Sequence, residues 1–218
     1  MEVIQQPDTL LSLESLNVRV QAWPLLKGKV EVDEVTLSQV AVNSANLIEG
    51  MQIKGVLGRF FLQSHGVDLS NETAVVNRTE LSDTHIQLLM TDTTTTPKDT
   101  TASAPVNWKV NLHQLKLKNV SFGMKLPADS MKMAAYIGEA TIDDAKADLK
   151  NQFYGLKQFL LSGASASYDT GEAQPSEGFD ASHMAVRNIR IGLDSLLYEG
   201  RNMNAVIREI TMEERSGL

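Results

Sequence analysis

The residues able to do acid–base, nucleophilic or metal chemistry in this sequence are few and scattered. His65, His85, His113 and His183 are its four histidines, and no two stand at metal-ligand spacing. With no cysteine in the chain, a thiol nucleophile, a thiolate metal site and a disulfide are all excluded. Ser64-His65 and Ser182-His183 would suit a nucleophile–base pair only if both side chains faced the same way. Adjacent side chains on a strand point to opposite faces, so neither pair forms a dyad. Asp143-Asp144 and Glu213-Glu214 are adjacent carboxylates at expected strand ends, where solvated charge is a simpler account than general acid–base work. Gly55-Val56-Leu57-Gly58 lacks the further glycines and the Lys-Ser/Thr of a phosphate loop. Asn-x-Ser/Thr sequons at Asn71, Asn77 and Asn119 are what a Thr-rich chain contains by composition. Neither an enzyme nor a cofactor is expected.

With catalysis set aside, the elements themselves carry the information. The 218 residues are 42% hydrophobic and 22% charged, a balance that supports a packed fold and not a disordered chain. Only 6% are aromatic, so apolar surface must come from Val, Leu, Ile and Met. A net charge of -7 argues against nucleic acid, whose binding rests on Lys and Arg neutralising phosphates. No run of 18 apolar residues is present, so no helical membrane span is expected. Met1 to Asp8 has neither a basic start nor an apolar core, so it does not read as a signal peptide. Any export or anchoring segment is expected to lie outside this chain.

Strand alternation dominates. Leu16, Val18, Val20 and Ala22 are apolar at every second position, as are Val30 and Val32. The phase slips by one at Asp33-Glu34 before Val35 and Leu37, and slips again before Val40 and Val42. The same pattern returns at Val110 and Leu112, then Leu115 and Leu117, then Val120, Phe122 and Met124, and again from Val186 onward. Period two means one buried and one wet face, which predicts an antiparallel sheet. The slips predict bulges or tight turns, because a one-residue slip otherwise moves the apolar set into water. The best helical stretch, Asp143 to Leu160, is interrupted by Gly155 and fits a strand pair about as well.

Shifting the sequence by 80 positions aligns 29–82 with 109–162 without a gap. Eleven of 54 positions are then identical, where composition alone gives roughly three. Gly58/Gly138 and the pair Asp68-Leu69-x-Asn71/Asp148-Leu149-x-Asn151 weigh most, since alternation alone inflates the aliphatic matches. The expected organisation is a lead-in hairpin strand over 1–28, a β repeat over 29–105 with a Thr-rich loop at 91–105, a second over 106–180 with a loop at 170–180, and the start of a truncated third over 181–218. Some dozen to sixteen strands at about 4.8 Å would make a sheet roughly 60–75 Å across.

The stretch from Leu10 to Leu37 contains a strand, the turn Pro24-Leu25-Leu26-Lys27-Gly28, and the second strand Val30-Glu31-Val32-Asp33-Glu34-Val35-Thr36-Leu37. It resembles the N-terminal region of the AsmA/TamB family. Met51 to Asp68 and the closing Glu213-Glu214-Arg215-Ser216-Gly217-Leu218 look like the Bacteroides-type members. The resemblance implies an all-β fold of repeat-built antiparallel strands in an elongated, curved sheet with an apolar groove. It further implies a periplasmic body of an inner-membrane-anchored protein, in contact with phospholipid acyl chains. Such proteins are associated with intermembrane phospholipid movement and with outer-membrane protein assembly beside an Omp85-type barrel. The chain lacks the family's anchor and its barrel-facing C-terminal domain, so barrel contact would run through regions outside it. The residues expected to line the groove are Val18, Val20, Val30, Val32, Val35, Leu37, Val110, Leu112, Leu115 and Leu117, and their role would be solvation. The alternation alone suits a closed sandwich or adhesin-like interaction module equally well.

Overall fold

The computed structural model describes residues 2–5, 8–21, 32–44, 50–68, 71–90, 107–127, 130–171, 180, 182–200 and 204–213. Its ten strands are β1 (Glu2–Gln5), β2 (Asp8–Val20), β3 (Val32–Asn43), β4 (Met51–Asp68), β5 (Thr73–Met90), β6 (Lys109–Leu126), β7 (Met131–Asp148), β8 (Phe153–Asp169), β9 (His183–Glu199) and β10 (Asn204–Glu213). They form one sheet in strict sequence order, open and curved without closing. The stretch Asp143 to Leu160 is strand from end to end except for a four-residue turn, as the β7–β8 pair. Its Asp148 and Asn151 close that turn: the Asn151 backbone N–H and Nδ2 donate to the Asp148 carboxylate at 3.0 and 2.8 Å. Asn71 and Asp68 build the same turn between β4 and β5, at 3.1 and 2.7 Å. This aspartate-capped turn is a local backbone preference of Asp and Asn, and it stops a helix from running through.

Two expectations need correction. Among the described residues the sheet has ten strands, not twelve to sixteen, and these span about 43 Å at ~4.8 Å per spacing. The phase slips, expected to be bulges or tight turns, lie inside β3 (12 residues) and β6 (18 residues), so each strand is longer and there are fewer of them. The sheet is also not wholly antiparallel: β5 and β6 pair in parallel, from Thr73↔Lys109 to Leu89↔Lys125. A parallel pair needs a crossover of a dozen or more residues, and the eighteen residues of 91–108 supply it. The expected turn at 24–28, Val30 and the whole Thr-rich stretch at 91–105 lie outside the described residues, as does 172–179.

Two of the slips, before Val40 and before Val120, have a common structural cause. Gln39, Asp83, Asn119 and Gly163 sit mid-strand with φ of 50, 51, 53 and 62°. In the register each lies opposite or beside the next: Gln39 faces Gly58, Gly58 faces Asp83, Asp83 lies beside Asn119, Asn119 faces Gly138, and Gly138 faces Gly163. At each of these places the ladder skips one pair, as between Ser38↔Arg59 and Val40↔Leu57, and between Ser82↔Lys118 and Thr84↔Val120. β9 continues the line at Asn188 (φ 54°), where its register with β8 shifts. A left-handed residue inside a strand resets the alternation, so apolar residues three apart, such as Leu37/Val40 and Leu117/Val120, return to the same face. The result is a crease running across the strands.

A second crease lies six residues away on β5 to β8, through Asn77, His113, Asp144 (φ 50°) and Lys157, and continues at Ser195 (φ 64°) and Arg208. The glycines of the first crease face different degrees of crowding. A Cβ on Gly58 would sit 2.7 Å from the Asp83 Cβ and 2.9 Å from its carbonyl oxygen. A Cβ on Gly138 would come within 3.0 Å of the Ser162 carbonyl oxygen.

Candidate functional site: the apolar face

Between the creases, cross-strand partners share a face, so the register can be read row by row. One row runs Leu16–Leu37–Phe60–Leu81–Leu117–Ala140–Leu161–Ile191–Met212 across nine strands. The next runs Val18–Val35–Leu62–Thr79–Leu115–Ile142–Phe159–Leu193–Ile210, with Thr79 its one polar member. The rows that alternate with these are mostly polar, as in Arg19–Glu34–Gln63–Arg78–Gln114–Asp143–Gln158–Asp194–Glu209, with Phe61 and Leu160 the large apolar members of the row between the two. Beyond the first crease the apolar side continues through Val42–Gly55–Ile86–Phe122–Ala135–Ala166–Val186. Beyond the second it continues through Val76–Leu112–Ala145 and Ala74–Val110–Ala147–Tyr154–Tyr198. The last two rings stack with centroids 6.0 Å apart.

Among the described residues no other layer covers this side. The buried apolar residues are all alanines, Ala74, Ala140 and Ala164, shaded by larger neighbours, and no side chain is fully buried. Phe122 remains 40% exposed in mid-sheet, and Met212 on the β10 edge reaches 73%. The register places Val18 opposite Val35, Leu37 beside Leu16, Leu115 and Leu117 in the same two rows, and Val110 and Leu112 past the second crease. Val20 and Val32 are partners at the point where β2 and β3 shift register. Reading the sequence alone missed Phe60, Leu62, Ile142, Phe159 and Leu193, which complete the rows. Naming them requires knowing which strands are neighbours.

The polar residues that drew attention in the sequence lie apart from this face's rows. His113 Nδ1 is 3.1 Å from the Asp144 carboxylate, and Lys157 Nζ is 3.8 Å from its other oxygen, all three on the second crease. The hydrogen bond with His113, with help from Lys157, holds the Asp144 carboxyl below its ordinary range. The Asp148 carboxyl is lowered too, first by the Asn151 side chain, then by the Asn151 N–H and Lys109. His85 is hydrogen-bonded to Ser121 and to Gln87. His183 bonds Asp180 Oδ2 at 2.9 Å. Ser64 donates to the Val32 carbonyl, a strand-to-strand tie and not an activated nucleophile. No group of three or more His, Asp or Glu able to hold a metal occurs among the described residues. No helix is long and apolar enough to cross a membrane. No protein-family model matches the chain, and no curated protein matches it.

Proposed function

We propose that this chain is a non-enzymatic segment that shields lipid acyl chains along its apolar face, as part of a periplasmic envelope protein of the AsmA/TamB kind. One observation carries the reading: two apolar rows cross nine strands with nothing over them among the described residues. A soluble protein does not leave so much contiguous aliphatic surface in water without a partner for it. An acyl chain lying across the strands meets a new aliphatic side chain about every 4.8 Å. Ten methylenes, half shielded by such a face, contribute about 4 kcal/mol, enough for retention without any specific polar contact.

The creases support the same reading, since they keep every panel of the sheet apolar on one side where unbroken alternation would not. We also read β3–β5 and β6–β8 as two copies of one unit. β4 and β7 have bounds exactly 80 residues apart, the strands β5 and β8 begin 80 apart, and so do the left-handed residues Gln39/Asn119 and Asp83/Gly163. A role in phospholipid movement between membranes, or in staging outer-membrane proteins, follows from this reading; contact with an Omp85-type barrel would lie with other regions.

The test is lipid extraction from the purified chain followed by mass spectrometry. It is paired with a photoactivatable, diazirine-bearing side chain at Leu37 or Leu117. Phospholipid that co-purifies and crosslinks at these positions, and not at Lys116 on the opposite face, is the expected result. Lipid-free protein, or crosslinking that ignores the face, defeats the reading and favours a closed interaction module.

A further inference from the structure

Past the first crease a cleft of about 1020 Å³ lies over β4 to β9, lined mostly from the polar rows and also by Phe122, Ala135, Ala166 and Val186 of the apolar one. Its floor is a row of short side chains, Gly123–Ala134–Ser167–Ala185, paired across four successive strands. Longer residues stand on both sides of that row, so the concavity is written into side-chain length. The charge around it runs against the rest of the chain. Lys54, Lys125, Lys132 and Arg187 line the cleft against one lining carboxylate, Asp169, in a protein of net charge -7. Asp169 itself lies 3.7 Å from His183. Lys125 and Lys132 are direct cross-strand partners. Like charges placed opposite one another on a sheet repel and cost stability; Asp169, the partner of Lys132 on its other side, offsets part of this, and an anion beside Lys125 would offset the rest. Ser121, Ser165 and Ser167 add hydroxyl donors at the same site.

We propose that this cleft binds a phosphate-bearing ligand, its body along the short-residue floor and its phosphate between Lys125 and Lys132. Lysine ammonium groups and serine hydroxyls are what a phosphate dianion takes as donors. The charged and hydroxyl groups of the site belong to rows other than the acyl-chain rows, and its test does not depend on that reading.

The experiment is calorimetric titration of the whole chain with inorganic phosphate and with glycerol phosphate at low ionic strength, beside flotation with phosphatidylglycerol and phosphatidylcholine vesicles. Three variants are compared: Lys132→Gln removes a charge, Ala134→Leu fills the floor without touching charge, and Lys116→Gln is a control on the same face outside the cleft. Circular dichroism confirms that each is folded. Saturable binding of a soluble phosphate that weakens at least fivefold in both cleft variants, and not in the control, supports the site with a soluble ligand. Flotation with phosphatidylglycerol alone, lost in the same two variants, supports it with a lipid headgroup. Absence of saturable binding in every arm, or an equal loss in Lys116→Gln, overturns it.

Discussion

Gly58→Ala tests whether the first crease is a packing requirement or a tolerated irregularity. An alanine Cβ there would stand 2.7 Å from the Asp83 Cβ, 2.9 Å from the Asp83 carbonyl oxygen and 3.1 Å from that of Ser82. Two of these contacts involve backbone atoms fixed in the ladder, so relief requires β4 and β5 to move apart. Overpacking of this kind costs about 1–3 kcal/mol. Alanine recovers about 0.4–1 kcal/mol by restricting the unfolded chain. The net expectation is a loss of about 1–2 kcal/mol.

Gly138 supplies an internal comparison. Its neighbour across the crease is Gly163, which has no Cβ, and the nearest atoms are carbonyl oxygens at 3.0 and 3.1 Å. Gly138→Ala should therefore stay within about 1 kcal/mol of the parent. Asp83→Gly should convert the first site into the second. It removes the hydrogen bond from Asn119 Nδ2 to Asp83 Oδ1, 2.8 Å long, and it relieves a left-handed aspartate. Both effects appear in either background and cancel in a double-mutant cycle. The coupling between Gly58→Ala and Asp83→Gly then isolates the Cβ contact, and it should favour the double variant by about 1 kcal/mol. Urea unfolding at constant m-value measures all four corners. A Gly58→Ala protein as stable as the parent, or a coupling near zero, refutes the claim that crowding selects glycine at the crease.

Four other outcomes are expected. Asn119→Val should cost about 1–3 kcal/mol because a β-branched residue resists positive φ, while Asn119→Gly should be neutral or better; thermal melts decide it. Asp148 has its carboxyl lowered on folding, so its contribution is full above the ordinary carboxylate pKa of about 4 and fades as pH falls below it. The stability lost in Asn151→Ala should accordingly shrink between pH 7 and pH 3; a gap that stays constant contradicts the assignment. Leu117→Glu should strip co-purifying lipid, as counted by mass spectrometry per mole of protein, whereas Lys116→Glu should leave it in place. Lys125→Gln, whose other cross-strand neighbour Leu89 is uncharged, should by removing the repulsion from Lys132 raise stability by roughly 0.2–1 kcal/mol in urea unfolding in phosphate-free buffer.

Much of the sheet was legible in the residues, and the rest was hidden for identifiable reasons. Alternation gave strands, and the grouping of Val18, Val35, Leu37, Leu115 and Leu117 on one side follows directly from period two. The slips were visible, but a tight turn and a left-handed residue inside a strand consume the pattern in the same way. Asp83 and Asn119 are types that tolerate positive φ, which was a usable signal; Gln39 is not, and only its alignment with Asn119 betrays it. The turn inside Asp143–Leu160 had its own marker, since Asp148-Leu149-x-Asn151 repeats a tetrapeptide already standing between two strands at 68–71. The β5–β6 pairing had none. Period two is the same whether a neighbour runs with or against a strand, so direction must come from the connection. The cleft was illegible because its floor is assembled from single small residues on four separate strands.

The parallel junction between β5 and β6 has a geometric consequence for how such a sheet could lengthen. Three strands joined by hairpins end pointing the way they began, so a fourth added by another hairpin would start the next trio head-down, with its bends met in reverse order. Running β6 alongside β5 restores the heading, so that on the two-copy reading proposed above β6–β8 would be β3–β5 moved sideways. Bend then falls beside bend without any strand changing length. At β9 the heading does reverse, and there the two bends stand seven residues apart, at Asn188 and Ser195, with the ladder to β8 out of step at two places. An array grown by copying odd-numbered sets of strands must choose at each join between a long return loop and a mismatch of this sort.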